Sequence, residues 1–203
     1  MNDLKAVAFQ CRSNPDETSP THVLSEELCQ KAGVRYEDVF TDAASMARMA
    51  KTIKQVDGDV ICRLPFSVAV EAEQFGAKLS LNRETRLPAV RDFPYAKLDE
   101  IKSLPSFDFS KGQMAAVLRA AELLSTEGEI VLLSIEGIFS ILGMTVSSKE
   151  VYKALYRKKD KLKALAEILK EQIAAYTREA VAHGVKIIAY TDAVISLELV
   201  SPE

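Results

Sequence analysis

Apolar residues recur along this chain in two rhythms, one helical and one strand-like, and glycines repeatedly mark where the first gives way. The segment "HVLSEELCQKAG" has the spacing of a short helix closed by Gly33. In "FTDAASMARMAKTIKQVDG", Met46, Met49, Ala50 and Ile53 fall on one helical face. Thr41 is placed to cap that helix, Asp42 suits its first turn, and Gly58 ends it. The methionines read as core filler. "SVAVEAEQFGAKL" predicts a helix closed by Gly76, and "KGQMAAVLRAAELLSTEG" predicts another. "SSKEVYKALYRKK" opens with a capping box, Ser147 with Glu150. "DKLKALAEILKEQIAAYTREAVAHG" is a long amphipathic helix.

Between these helices lie continuous apolar runs of strand length: 59–64, 129–135 and 185–191, with weaker signals at 4–10 and 79–81. No Asn-Gly or Asp-Gly turn joins them, so the strands read as parallel neighbours linked through helices. Residues 80–110 are irregular and predict a long excursion over the top of the sheet. "RSNPDETSPT" is turn-rich, so the first twenty residues predict a mobile edge to a single domain of residues 1–203. The fold class is α/β, with too few strands to close an eight-stranded barrel of typically ~250 residues.

Composition narrows the functional classes. Of 203 residues, 48% are apolar and 27% charged, and 26 basic against 29 acidic side chains leave a net charge of −3. That balance argues against nucleic-acid or membrane-surface partners. The basic run "YRKKDKLK" at 156–163 reads as a solvated helix face, balanced by Asp160, Glu167 and Glu171. No apolar stretch reaches the ~18–20 residues of a membrane span, and the amino terminus shows no secretory signal pattern. Cys11, Cys29 and Cys62 are odd in number and widely spaced, which suits a reducing cytoplasm.

In parallel α/β folds the ligand sits at the carboxyl ends of the strands. Those ends are "RLPFSV", "IEGIFS" and "YTDAVIS", which carry Arg63, Ser67, Glu136, Ser140, Asp192 and Ser196. Each of these polar groups also has a structural alternative, capping the following helix or satisfying a loop amide. Phosphate loops, nucleophile elbows and zinc-protease helices are missing from the sequence. His22 falls in a loop and His183 at a helix terminus, where capping is the simpler role.

Three stretches in order, "DAASMARMAKTIKQVDGDVICRLPFSVAVEAEQFGAKL", "IEGIFSILGMTVSSKEVYKAL" and "EAVAHGVKIIAYTDAVISLELVSPE", resemble the uroporphyrinogen decarboxylase superfamily. The similarity spans roughly residues 35–203 and is greatest to its corrinoid-dependent methyltransferases, the methylcobamide:coenzyme M enzymes. The shared patterns are P-F-D-x-x-V-E-A-E-x-x-G, G-P-F-T and D-P-x-A-S-x-x-x-L-S-P-E. The resemblance implies a (β/α)8 barrel, of which this chain would be the front part: a partial TIM-barrel-like parallel sheet. "SPE" at 201–203 would start a helix that is followed in relatives by further βα units. The implied site residues are Arg63, Ser67, Gly137, Ser140, Met144, Asp192 and Ser196 as substrate-binding positions.

The departures shape the functional expectation. Ser67 stands where P-F-D has its acid, Gly137-Ile138-Phe139-Ser140 replaces G-P-F-T, and Met144 falls near the decarboxylase pocket tyrosine. Asp192-Ala193-Val194-Ile195-Ser196 replaces D-P-x-A-S. The zinc that the resemblance implies is held in relatives by a His-x-Cys pair and a later cysteine beyond "SPE", so no zinc is expected in this chain alone. Family activity would require zinc and a methylcobamide carried by a corrinoid protein. Three readings follow: a corrinoid-dependent methyltransferase-like protein inactive by itself, a catalytically silent half-barrel acting as subunit or scaffold, and a tetrapyrrole decarboxylase. Arg63 alone is a poor match for the many carboxylates of the decarboxylase's substrate. An open sheet edge at 185–191, and inward faces at Val60, Leu132 and Ile188, predict a homodimer or a complementing second chain.

Overall fold

The computed structural model describes residues 24–81 and 87–193. In chain order these form α1 (Glu26–Ala32), a 3-10 turn (Glu37–Phe40), α2 (Ala43–Asp57), β1 (Ile61–Leu64) and α3 (Val70–Glu73). There follow β2 (Lys78–Leu81), β3 (Pro88–Asp92), a second 3-10 turn (Leu98–Glu100), α4 (Gly112–Thr126) and β4 (Ile130–Glu136). The last elements are α5 (Ile138–Leu142), a π turn (Gly143–Ser147), α6 (Ser148–Arg157), α7 (Lys159–Ala182) and β5 (Ile187–Thr191). The expected strand at 4–10, His22, Cys11, Ser196 and the "SPE" helix start lie outside the described residues.

The three strongest apolar runs become one parallel sheet in the order β1-β4-β5. Leu64 lies opposite Leu133, Leu133 opposite Ile188, and Glu136 opposite Thr191. Side chains alternate between two faces that both carry apolar clusters, so the strands are mostly apolar in sequence. Cys62, Leu64, Val131, Leu133, Ile135 and Ile188 face the helices and join the main core. Ile61, Leu132, Ile187 and Ala189 form a second cluster on the opposite face. The expectation that Val60, Leu132 and Ile188 share an inward face is therefore corrected. Leu132 and Ile188 differ in register parity, and Val60 precedes β1 and is exposed.

Most helices form where the pattern places them, for local reasons. The Ser25 hydroxyl accepts from the Leu28 N–H at 3.1 Å, and Gly33 closes α1 with φ 63°. The cap of α2 is Asp42, one residue later than expected; its carboxylate accepts from the Ser45 N–H at 2.8 Å. A carboxylate is the stronger acceptor beside the positive helix end, and the Thr41 N–H instead closes the preceding 3-10 turn on the Asp38 carbonyl. Met46 and Met49 are buried core, and α7 buries Leu162, Leu165, Leu169, Tyr176 and Ala180 along one stripe.

Two expectations fail in instructive ways. The Ser147–Glu150 capping box does not form: Ser147 takes φ 94° at the close of the π turn, and Glu150 pairs with Lys153 at 2.7 Å. The weak strand signal at 79–81 is β2, and it does not join the parallel sheet: it pairs antiparallel with β3, which lies inside the excursion at 80–110, so that excursion is not uniformly irregular. Further on, that excursion is held by side chains. Gln172 accepts from the Phe107 N–H and donates to the Pro105 carbonyl, both at 3.0 Å. Gln74 accepts from the Asp108 N–H at 2.8 Å. Phe107 and Phe109 then pack on Tyr176. Among the described residues no helix is long and apolar enough to cross a membrane.

Candidate functional site

The three parallel strands end side by side, and their last residues build a rim. At the start of α5, four consecutive N–H groups, those of residues 137–140, meet the end of β5. The Gly137 N–H donates to the Thr191 carbonyl at 2.6 Å, and the Ile138 N–H donates to the Tyr190 hydroxyl at 3.2 Å. One oxygen of Asp192 accepts from the Phe139 N–H at 2.9 Å; the other accepts from the Ser140 N–H at 3.0 Å and the Ser140 hydroxyl at 2.9 Å. The first N–H groups of α5 have no intrahelical acceptors, and Gly137 has no side chain to cap them. Asp192 caps the helix from the neighbouring strand. Gly137 is required by the same contact, since an added Cβ would fall onto Asp192 Cβ and its carboxyl group.

Behind this cap stand a partly buried acid, Glu136, and a fully buried one, Glu71. Glu136 ends β4, and burial pushes its carboxyl up to about 7; the nearby Ser140 hydroxyl opposes that rise and the Asp192 charge adds to it. Glu71, on α3, is 2% exposed, and burial pushes it up to about 8. Backbone N–H groups pull it back, among them Glu136 N–H, which donates to Glu71 Oε1 at 3.3 Å, while the Glu136 charge pushes it further up. Tyr176 of α7 is fully buried and its hydroxyl has no hydrogen-bond partner among the described residues; burial, then the charge of Glu71, raises it well above its usual range. The rim can therefore hold, release or accept a proton near neutral pH at Glu136, with a neutral acid behind it.

Of the residues predicted from sequence, Gly137, Ser140 and Asp192 come together with Glu136. Ser67 lies at the end of the adjacent strand, after the cis Leu64–Pro65 peptide, and its hydroxyl accepts from the Ala69 N–H at 3.3 Å. Arg63 sits within β1, and its guanidinium pairs with Asp59 at the opposite, amino end of that strand. Met144 is half-buried in the π turn. Glu71 and Tyr176 were not anticipated, although an acid between Val70 and Ala72, both of them buried, is a readable signal. Glu73, two residues on, accepts from the Gln113 N–H at 2.7 Å and so caps α4 from outside.

The described residues do not fit zinc. Cys62 is buried and its thiol is pushed up to about 12, first by burial, which opposes the thiolate a metal needs. Cys29 is buried in the helical core, and His183 Nδ1 lies 2.9 Å from the Glu179 carbonyl, closing α7. No three His, Cys, Asp or Glu among the described residues gather into a metal-holding group.

Comparison with known proteins places this rim in context. The methylcobamide:CoM methyltransferase MtaA of Methanosarcina barkeri is 27% identical over 180 residues, 87% of this chain and 53% of that protein. The methylcobamide:CoM methyltransferase MtbA of Methanosarcina mazei is 26% identical over 199 residues, 95% of this chain and 58% of that protein. A solved methyltransferase from Methanosarcina mazei superposes with a TM-score of 0.78 at 27% identity, over 87% of this chain and 53% of its own. The chain thus spans about half the length of the relatives it matches. The sequence model of the family described as uroporphyrinogen decarboxylase (URO-D) matches residues 18–203. The chain belongs to that family.

Proposed function

We propose that this methyltransferase-like chain takes part in methyl transfer between a methylated corrinoid and a thiol, forming part of the chamber wall at the carboxyl ends of its parallel strands. The observation that carries the reading is the likeness to methylcobamide:CoM methyltransferases over 87% and 95% of the chain, together with the structural match. The rim is compatible with it. Formation of a thioether releases the thiol proton, and Glu136 at about 7 is a group able to receive one. Tetrapyrrole decarboxylation has less support, because the Arg63 guanidinium is paired with Asp59 instead of presented at the rim. The partners that suit the reading are a corrinoid-carrying protein and a second chain, either another copy or a complementing one, with a reducing cytoplasm as the setting.

The chain by itself is proposed to be inactive. Without a thiolate-stabilising metal site among the described residues, a free thiol of pKa ~8.5 stays mostly protonated at neutral pH. The test is demethylation of methylcobalamin with coenzyme M as acceptor, followed by absorbance. The expected rate equals the protein-free rate, and turnover clearly above it overturns the inactivity. Titration with methylcobalamin tests the wider reading: saturable binding supports it, and no binding counts against it.

A further inference from the structure

The helix α6 turns Val151 and Ala154 into the core and packs against α5, α7 and the 3-10 turn at Leu98–Glu100. Its opposite face carries Lys149, Tyr152, Lys153, Tyr156 and Arg157, spaced at three or four residues, so they form one stripe. Together they line an open groove of about 700 Å³. Tyr156 is 77% exposed. The basic run noted in the sequence divides at this point. Lys158 pairs with Asp99 and Lys161 donates to the Ile101 carbonyl, both tied to the 3-10 turn, while Tyr156 and Arg157 face outward. Among the described residues no carboxylate pairs with Lys149 or Arg157. The carboxyl of Glu150 is bound by Lys153 and is held below its usual range by that contact, with the charges of Lys158 and Lys97 adding.

We infer that this stripe docks the acidic surface of a partner protein. The inference goes beyond the proposed chemistry and does not depend on it. Two features select this occupant. The stripe is a positive field on a chain of net charge −3, so the attraction is local and specific in place. The exposed Tyr156 and Arg157 supply residue types that anchor protein interfaces.

The test uses the whole chain and a fluorescent polyglutamate peptide as probe, with short duplex DNA and phosphatidylglycerol vesicles as alternatives. Binding to the peptide is expected at low salt, weakening as salt rises. K149E/K153E/R157E should lose at least about tenfold in affinity, while reversal of Arg35, Arg119 and Lys170 leaves it within about twofold. Tyr156→Ala, with every charge kept, should weaken binding several-fold, which a pure charge effect would not. Far-UV circular dichroism checks folding, and K149Q/K153Q replaces the triple variant if it unfolds. Equal losses in both charge-reversal variants, no binding by the wild-type chain at low salt, or tighter binding to DNA or vesicles than to the peptide would each overturn the inference.

Discussion

Replacing Gly137 by alanine puts a methyl carbon where Asp192 sits, and the consequence can be sized. An added Cβ falls onto Asp192 Cβ, Cγ and Oδ2, so either the β5 end or the start of α5 must move. Movement breaks the three hydrogen bonds by which Asp192 caps α5, at 2.9, 3.0 and 2.9 Å. Loss of a helix cap costs about 1 kcal/mol and overpacking a tight contact about 1–3, so the variant should be less stable by about 2–4 kcal/mol. Against a total of roughly 5–15 kcal/mol for a domain, with a urea slope of about 1–3 kcal/mol per molar, the midpoint should fall by about 1 M or more. A second substitution locates the cause. Asp192→Ala keeps the clashing Cβ and should not rescue the variant, whereas Asp192→Gly should recover the steric part. Urea unfolding followed by circular dichroism gives all four values. A Gly137→Ala shift below about 0.5 kcal/mol, the range of ordinary surface changes, would refute the trans cap.

Three further outcomes are expected. Glu71 has its carboxyl pushed from 4.5 to about 8 on folding, so the folded state holds the proton more tightly; the contribution of Glu71 to stability should be full below about pH 4.5 and be lost as pH rises to about 8. Glu71→Gln should remove a few kcal/mol of that fall, measured as unfolding free energy near pH 5 and near pH 8, and parallel profiles for the two proteins would contradict the burial of a proton there. Elemental analysis of the purified chain should find no stoichiometric zinc; one tightly held ion per chain would direct attention to Cys62 and His183 as ligands. β5 pairs only with β4 among the described residues and exposes Tyr190 and Thr191, so light scattering at micromolar concentration should report association, and a monomer of 22.4 kDa would refute it.

How much of this was readable before the structure depended on whether the determinants were local. Strands inside a parallel sheet announce themselves, since most positions are apolar, with Arg63, Ser134, Glu136 and Thr191 as the exceptions, and β1, β4 and β5 lie within two residues of their expected bounds. Helices with a glycine at the end are equally plain, as at Gly33 and Gly58. The β2–β3 hairpin was hidden because its connection is longer than the two-residue turns that carry a recognisable signal, and because Pro88 sits at its strand start. The segment from 103 to 111 was hidden for another reason: Gln74 and Gln172, distant in sequence, replace the missing backbone ladder. Ser147 and Glu150 match the capping-box pattern, but the π turn that leads into α6 leaves Ser147 at φ 94° and Glu150 on Lys153.

The same distinction between local and distant determinants decides which rim residue has chemistry left to offer. Polar residues at strand ends look interchangeable in a sequence, and a capping aspartate cannot be told from a substrate-binding one. The contacts separate them. Asp192 has both carboxylate oxygens engaged by α5, and the Ser67 hydroxyl is taken by its own turn. The hydroxyl of Ser140 is donated to Asp192. Glu136 differs: it holds the exchangeable proton of the rim, with its carboxyl at about 7, while Glu71 behind it keeps a proton to about 8 and withholds a second negative charge at neutral pH. Burial that makes Glu71 costly as an anion thus leaves Glu136 free to ionise near neutrality, since two adjacent buried carboxylates resist carrying charge together. The proposed role in proton movement therefore rests on Glu136, with Asp192 and Gly137 fixing the helix start that keeps Ser140 beside it.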